Sequence, residues 1–280
     1  SFSLIILAAG KGTRMRSDIP KVLHFVAGAP LVVHAMEAAR PLGPARNVVV
    51  AGHGADLVRS RVLDYDAAIQ VVLQTEQLGT AHAVDMAREA LADFDGDVVV
   101  LYGDTPFVSA ATLERICAAR TGGADVVVLG FEAADPGRYG RLVMQGDALE
   151  RIVEFKDASE AERAISLCNS GVIACNAPLL FDLVSAVENN NASGEYYLTD
   201  IIGLARARGL TATAVTCDEA ETLGVNSRAQ LADAEAALQA RARAILLEDG
   251  VTLQAPDTVY LARDTIIGRD TVVEPNVVFG

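Results

Sequence analysis

The sequence predicts an α/β fold with a mainly parallel sheet, because strand-like and helix-like segments alternate along its first half. The predicted strands are rich in Val and Ile, which is typical of strands covered on both faces. They are Ser3–Leu7, Asn47–Ala51, Ile69–Leu73, Asp97–Tyr102 and Asp125–Phe131. The helices predicted between them are Leu31–Arg40, Ala55–Leu63, Ala81–Ala92 and Thr112–Arg120. Right-handed crossovers then place helices on both faces of a Rossmann-like sheet.

Three later segments depart from this alternation. Two strand-like pieces within Arg141–Glu154 flank Gln145-Gly146-Asp147, which predicts an antiparallel hairpin, or flap, beside the main sheet. Arg228–Leu247 is rich in Ala, without Gly or Pro, and predicts a helical arm. After Gly250, apolar pairs come to recur every six residues, which is typical of a left-handed β-helix.

These patterns predict a main domain over residues 1–227, a helical arm over 228–250 and the first coils of a β-helix over 251–280. Coils of such a solenoid are stable only when stacked on neighbours. Because two or three coils lack enough neighbours, we expect the chain to be part of a longer protein.

Composition restricts the function classes. The chain has 280 residues and 51% hydrophobic content, enough to bury a full core. A net charge of −14 argues against nonspecific nucleic-acid binding, which needs a basic face. No apolar stretch reaches membrane-spanning length, and the chain starts with a core strand, so we expect a cytoplasmic protein. Four cysteines without Cys-x-x-Cys spacing predict free, buried thiols.

The most informative motif is a glycine loop directly behind the first strand. Leu7–Arg16 reads Leu-Ala-Ala-Gly-Lys-Gly-Thr-Arg-Met-Arg, and Pro20-Lys21 follows. Flexible backbone N–H groups and four cations at a strand end suit a polyphosphate. The spacing fits neither a Walker A loop nor a dinucleotide fingerprint. The Gly-Lys-Gly triplet alone is equally consistent with a basic surface turn. The four cations are Lys11, Arg14, Arg16 and Lys21.

A second candidate motif is the glutamine-rich segment Leu73–Ala83. Gln74, Gln77 and Gly79 supply amides and a close backbone approach, which the imide edge of a uracil or thymine ring requires. Taken alone, the segment is more simply an ordinary loop between a strand and a helix.

Asp104 follows the apolar run Val98–Leu101 at a predicted strand exit. A carboxylate there suits Mg²⁺, which takes one or two carboxylates and keeps waters and phosphate oxygens. By itself, Asp104 is more simply a cap of the following turn, supported by Thr105-Pro106. With a polyphosphate loop in the same sheet, the metal site becomes the better interpretation.

The string Leu7–Met15 followed by Pro20–Leu23 resembles the signature of the sugar-1-phosphate nucleotidyltransferases. Its continuation through His24 resembles the bifunctional N-acetylglucosamine-1-phosphate uridylyltransferase/glucosamine-1-phosphate acetyltransferase family in particular. This resemblance implies uridylyl transfer from UTP to N-acetylglucosamine 1-phosphate, in the route to peptidoglycan and lipid A. It implies a homotrimer for the full-length protein, with association weak or absent here. The acetyltransferase site is expected beyond Gly280, so no histidine of this chain inherits its catalytic role.

The resemblance also assigns site residues. Arg14 and Lys21 are implied to be catalytic, and Asp104 and Asn226 to hold Mg²⁺. The resemblance implies that the residues contacting the uridine base are Gln74, Gln77, Gly79 and Thr80. It implies that the N-acetylglucosamine pocket is lined by Gly140, Glu154, Asn169 and Thr199. The other substrate-binding residues implied are Leu7, Ala8, Ala9, Gly10, Lys21, Tyr102, Gly103 and Asn226.

Two alternatives stay open at this point. The chain could be another sugar-1-phosphate nucleotidyltransferase, for glucose 1-phosphate or with a thymidine preference. It could also be a non-catalytic sugar-nucleotide-binding scaffold. The roles of Arg141, Lys156 and Tyr197 near the sugar motifs are also left open.

Overall fold

The structure is a computed structural model that describes all 280 residues. Its strands are β1 (Phe2–Ala8), β2 (Phe25–Val26), β3 (Ala29–Pro30), β4 (Asn47–Ala51), β5 (Gln70–Leu73), β6 (Asp97–Tyr102), β7 (Val126–Glu132), β8 (Arg141–Gln145), β9 (Ala148–Val153), β10 (Leu167–Asn176), β11 (Ala212–Cys217), β12 (Thr252–Leu253) and β13 (Val272–Val273). Its α-helices are α1 (Leu31–Ala39), α2 (Ala55–Tyr65), α3 (Thr80–Asp85), α4 (Ala110–Thr121), α5 (Glu160–Arg163), α6 (Ala177–Ser185), α7 (Asp200–Ala207) and α8 (Arg228–Glu248).

Nine strands form the main sheet, in the order β11-β7-β10-β6-β1-β4-β5, with the β8–β9 hairpin attached through β10. β6, β1, β4 and β5 are parallel neighbours, and β11 is parallel to β7. β10 is antiparallel to both β6 and β7. The predicted mainly parallel sheet with an antiparallel flap is therefore confirmed.

Two apolar cores cover the two faces of this sheet. Alternate residues of β1 face opposite sides, so Leu4 and Ile6 lie in one core and Ile5 and Leu7 in the other. Helices α1, α2 and α4 contribute to the first core, and α3, α6 and α7 to the second. Burial on both faces explains why the central strands are continuous apolar runs.

One predicted helix is wrong in its length. The segment predicted as Ala81–Ala92 is helical only over Thr80–Asp85 and has a separate 3-10 turn at Glu89–Leu91. Between them, the amides of Ala87 and Arg88 bond carbonyls three residues back, at 3.0 Å each, so the α-helical ladder ends. The Arg88 guanidinium binds the Phe181 carbonyl at 2.9 Å, which anchors this segment to α6.

The predicted helical arm is confirmed as helix α8, which packs against both the main domain and the final segment. Ala234 packs in a cluster with Val26, Leu31 and Phe107 of the main domain. Further along α8, Leu246 packs with the apolar residues of the final segment. The helix therefore joins the two parts of the chain along its length.

The final segment winds back on itself. β12 pairs in parallel with β13, and Tyr260 forms a parallel bridge with Val278, eighteen positions further along the sequence. Parallel pairing at this separation agrees with one coil of three hexapeptides. The left-handed sense of the coil and the domain boundaries stay predictions.

All four cysteines are free, as predicted. Cys168 and Cys175 are buried, but Cys117 and Cys217 are only half-buried, so the prediction of burial holds for two of the four. Burial raises the pKa of Cys175 to about 12, which keeps this thiol protonated. No helix has both the length and the apolar character needed to cross a membrane.

Candidate active site

A cleft of about 330 Å³ opens where the carboxyl ends of the central parallel strands meet. Such sheet edges are the usual position of ligand sites in α/β folds. Most residues predicted to bind substrate at this end of the sheet line it, and Val22, Ala83 and Glu195 join them without having been predicted. The predicted residues lining the cleft are Leu7, Ala8, Ala9, Gly10, Lys21, Gln74, Gln77, Gly79, Thr80 and Tyr102, together with Asp104.

The glycine loop lies directly on Lys21. Gly12 has a φ of +59°, in the left-handed region, and a Cβ placed on it would lie 2.6 Å from the Cβ of Lys21. Only glycine allows both this conformation and this approach. The loop and the Lys21 turn are therefore packed as one unit.

The Lys21 ammonium lies between the two residues predicted to hold Mg²⁺. Its Nζ forms an ion pair with the Asp104 carboxylate and donates to Oδ1 of Asn226 at 2.8 Å. The Val225 amide donates to the Asp104 carbonyl at 2.9 Å, which holds the two loops together. The side chains of Lys21 and Asp104 are each 13% exposed. Packing against Gly12 and the ion pair with Asp104 therefore cover most of the Lys21 side chain.

These residues fit a divalent cation. One carboxylate and one amide oxygen converge on a point that already holds a positive charge, the Lys21 ammonium. Mg²⁺ uses few protein oxygens and completes its shell with water and phosphate oxygens. The chain has no cluster of three or more His, Cys, Asp or Glu side chains that could form a closed protein cage. Asp104 and Asn226 would therefore hold the ion together with substrate oxygens.

The glutamine-rich segment forms one wall of the cleft. Gln74 is buried, and its amide nitrogen donates to the Gly79 carbonyl at 3.1 Å and contacts Nδ1 of His82 at 3.0 Å. Gln77 donates to the Ala9 carbonyl at 2.7 Å. Gly79 has a φ of +126°, and a Cβ there would lie 2.4 Å from the Tyr196 carbonyl oxygen. The segment is thus fixed against β1 and against the chain that precedes α7.

The four residues predicted to line the sugar pocket also come together. Thr199 donates its hydroxyl to Oε1 of Glu154 at 3.1 Å. The backbone N–H of Asn169 donates to the Gly140 carbonyl at 2.9 Å, and a Cβ at Gly140 would lie 3.5 Å from Oε1 of Glu154. Carboxylate, amide and hydroxyl groups at one place supply the paired donors and acceptors that a hydroxyl-rich ligand needs.

Tyr102 connects this cluster to the cleft. A Cβ at Gly171, in the irregular part of β10 after Asn169, would lie 2.5 Å from the Tyr102 ring. Burial raises the pKa of Tyr102, and the nearby charges of Glu154 and Asp104 raise it further. Tyr102 therefore keeps a neutral hydroxyl between the cleft and the cluster of Gly140, Glu154, Asn169 and Thr199.

Burial raises the pKa of Glu154 above its ordinary value of 4.5, and Asp200 and Asp157 add to this shift, while the Thr199 hydrogen bond opposes it. The folded state therefore holds this proton more tightly than the unfolded chain. Protonated Glu154 therefore stabilises the fold below pH 4.5, and this stabilisation is lost as the pH rises through the raised pKa of Glu154.

We expect Glu154→Gln to remove this loss, because glutamine keeps the acceptor for Thr199 without the charge. Urea denaturation should show the variant gaining stability relative to the wild type between pH 4 and pH 8. An equal pH dependence of the two proteins would contradict the prediction. Glu132→Gln, an exposed residue on β7, is the control.

Arg141 is a structural residue rather than a ligand group. It is 1% exposed, and its guanidinium donates to the carbonyls of Pro136 at 3.2 Å, Gly137 at 3.1 Å and Arg163 at 3.2 Å, and also to that of Tyr139. The guanidinium therefore fixes the loop that leads into Gly140. In the sequence, a single Arg after Tyr-Gly is equally consistent with this structural role and with phosphate binding.

Arg141→Lys is expected to lower the free energy of unfolding by about 3 kcal/mol, because an ammonium cannot serve all of these buried carbonyls. Chemical denaturation measures this effect. Arg138→Lys is the matched control, since Arg138 is exposed and forms no side-chain hydrogen bond or ion pair. A loss below about 1 kcal/mol would show that water or a rearranged loop replaces the guanidinium.

Other predicted residues lie outside the cleft. Arg14 is exposed on the 3-10 turn Thr13–Met15, and its side chain forms no hydrogen bond or ion pair within the chain. Gly103 is buried, and its amide donates to the Leu7 carbonyl at 3.0 Å. Lys156 is exposed and donates to the Ser193 hydroxyl at 2.9 Å. The catalytic role of Arg14 stays a prediction.

Residues 4–182 match the family model of the MobA-like NTP transferase domain, which covers more than half of the chain. The chain belongs to this family. It is a nucleotidyltransferase, and the cleft beside the glycine loop is its candidate active site.

Two curated relatives are similar to this nucleotidyltransferase over nearly its whole length. The protein of Roseobacter denitrificans is 66% identical over 278 residues, which cover 99% of this chain and 62% of the relative. That of Ruegeria pomeroyi is 70% identical over 269 residues, which cover 96% and 60%. Both are named "Bifunctional protein GlmU". The resemblance to the bifunctional family is confirmed, and the chain spans about 60% of the length of these relatives.

Two solved structures share the fold. A putative glucose-1-phosphate thymidylyltransferase from Bacillus anthracis superposes with a TM-score of 0.66 at 20% identity, covering 85% of this chain and 95% of that one. A UDP-glucose pyrophosphorylase gives a TM-score of 0.67 at 17% identity, covering 85% and 98%. At these identities the likeness establishes the Rossmann-like fold alone.

Proposed function

We propose that this nucleotidyltransferase transfers uridylyl from UTP to N-acetylglucosamine 1-phosphate, giving UDP-N-acetylglucosamine and pyrophosphate. The observation that carries the proposal is the convergence of Asp104 and Asn226 on Lys21, which lines the cleft. The high identity to relatives named "Bifunctional protein GlmU" supports the choice of substrates. The product would supply peptidoglycan and lipid A precursors.

The acceptor phosphate is already an anionic nucleophile, so the site needs no side chain to activate it. The task of the protein is to align the attacking and leaving groups and to stabilise the charge spread over the phosphoryl oxygens. Lys21 supplies a fixed positive charge at this position. Mg²⁺ on Asp104 and Asn226 would neutralise phosphate charge and orient the triphosphate.

The cluster around Glu154 would bind the sugar. The side chains of Glu154, Asn169 and Thr199 offer carboxylate, amide and hydroxyl groups beside the Gly140 backbone. Tyr102, at the boundary with the cleft, would separate the sugar from the nucleotide. Gln74 would present its remaining amide oxygen to the base, because its nitrogen already contacts Gly79 and His82.

Pyrophosphate release with UTP, Mg²⁺ and N-acetylglucosamine 1-phosphate tests the proposal. We expect release that depends on all three components. A panel of UTP and dTTP with glucose 1-phosphate and N-acetylglucosamine 1-phosphate separates this function from that of another sugar-1-phosphate nucleotidyltransferase. Activity with another pair alone would change the assigned substrates, and no release with any pair would favour a non-catalytic scaffold.

The cytoplasmic location and the oligomeric state stay predictions. We propose a homotrimer for the longer protein and weak or no association for residues 1–280, because solenoid coils associate through stacked neighbours. Light scattering after size exclusion measures the state of this chain.

A further inference from the structure

The first residue of α8 forms hydrogen bonds with residues that precede and follow Lys21 in the chain. Nε of Arg228, the first residue of α8, donates to the Met15 carbonyl at 3.3 Å. Its Nη1 donates to Nδ1 of His24, also at 3.3 Å. Met15 ends the 3-10 turn of the glycine loop, and His24 follows the turn Lys21–Leu23. One guanidinium therefore bonds both the turn of the glycine loop and the residue that follows the Lys21 turn.

A second contact from α8 fixes the far end of this segment. Oε2 of Glu235 accepts from the Ala27 amide at 2.7 Å. Ala27 has a φ of +47°, a conformation that costs a non-glycine residue energy unless its surroundings hold it. Glu235 is two helical turns after Arg228, so both side chains leave the same face of α8. This face runs along the segment from Met15 to Ala27.

Most of the chain between the two turns is exposed, although Pro20 at its end is buried. Asp18 and Ile19 are exposed, and the Ile19 amide bonds only the nearby Ser17 hydroxyl, at 3.2 Å. A stretch with few buried contacts opens at low free energy. The distance between the glycine loop and the Lys21 turn therefore depends on the packing of Gly12 against Lys21 and on the bonds that cross between the two turns.

We propose that Arg228 is a positioning residue that ties the glycine loop to the Lys21 turn and so holds the Lys21 ammonium in place for nucleotidyl transfer. Its kinetic consequence rests on the proposed function. A guanidinium fits this task because it presents several N–H donors in one rigid plane. Lysine has a single charged nitrogen, and glutamine is shorter, so neither can replace both bonds.

The decisive experiment compares Arg228→Gln with Arg241→Gln. Arg241 lies on the same helix, is exposed, and forms no side-chain hydrogen bond or ion pair. We expect Arg228→Gln to lower kcat about tenfold and Arg241→Gln to leave it unchanged. We expect Arg228→Lys to recover less than half of the loss, because a restored charge does not restore both bonds.

A double-mutant cycle with Lys21→Ala tests whether Arg228 acts through Lys21. If it does, Arg228→Gln lowers kcat less than twofold once Lys21 is absent. A full tenfold loss in that background would overturn the proposal, because Arg228 would then act directly on the substrate.

Hydrogen exchange provides a readout that needs no activity. Arg228→Gln should speed amide exchange at least tenfold in residues 12–24, with no change in the strands of the main sheet, and Arg241→Gln should change neither. Unchanged exchange in residues 12–24 would refute the tie. If the wild type released no pyrophosphate, the proposed function would fail while the exchange result still decided whether Arg228 holds the two turns together.

Discussion

Replacing Lys21 by alanine is expected to lower kcat/KM by about two to three orders of magnitude, the loss typical for removing a fixed group that stabilises transition-state charge. It is also expected to lower the free energy of unfolding by about 1–3 kcal/mol, because it leaves a largely buried carboxylate without its partner. Lys21 and Asp104 are each only 13% exposed, so solvent compensates little. Steady-state kinetics and urea denaturation measure the two effects.

Lys21→Met is the matched variant, because methionine keeps the apolar stem and removes the ammonium. Equal kinetic losses in Lys21→Ala and Lys21→Met would attribute the effect to charge. Near-normal kcat/KM in Lys21→Met would show that the side chain serves packing against Gly12 instead. The stability loss should shrink when Mg²⁺ is added, since the ion can then neutralise Asp104.

Asp104→Asn is expected to cut turnover by at least an order of magnitude and to raise the Mg²⁺ concentration needed for half-maximal activity, because metal stabilisation of a phosphoryl transition state contributes several kcal/mol. Asparagine is nearly isosteric and still offers an oxygen to Lys21, so the fold should persist. A Mg²⁺ titration of the initial rate measures the change.

Asp147→Asn is the control for this variant, because Asp147 lies exposed in the turn between β8 and β9. It should leave both turnover and the Mg²⁺ requirement unchanged. Near-normal turnover of Asp104→Asn at limiting Mg²⁺ would remove Asp104 from the metal site.

The structure agrees best with the sequence patterns where it depends on local residue types. The Val-rich strands and the Gly146 hairpin were placed within about two residues, because buried strands and tight turns need particular residue types in a short window. The end of helix α3 at Asp85 was not predictable, because the bond that anchors Arg88 comes from α6, a distant segment of the chain. The position of the glycine loop at the ligand-binding edge followed from the strand preceding it.

The order of residues is enough to predict the α/β class, the glycine loop and the series of motifs that mark a nucleotidyltransferase. The contact of Lys21 with Asp104 and Asn226 could be seen only in the folded chain, because these residues are 83 and 205 positions from it in the sequence. The folded chain also shows that Arg141 bonds the carbonyls of one loop and that Arg228 bonds the Met15 carbonyl and the His24 ring. Residue types specify what a side chain can bond, but its partners are set by strands and helices that meet only when the sheet is assembled.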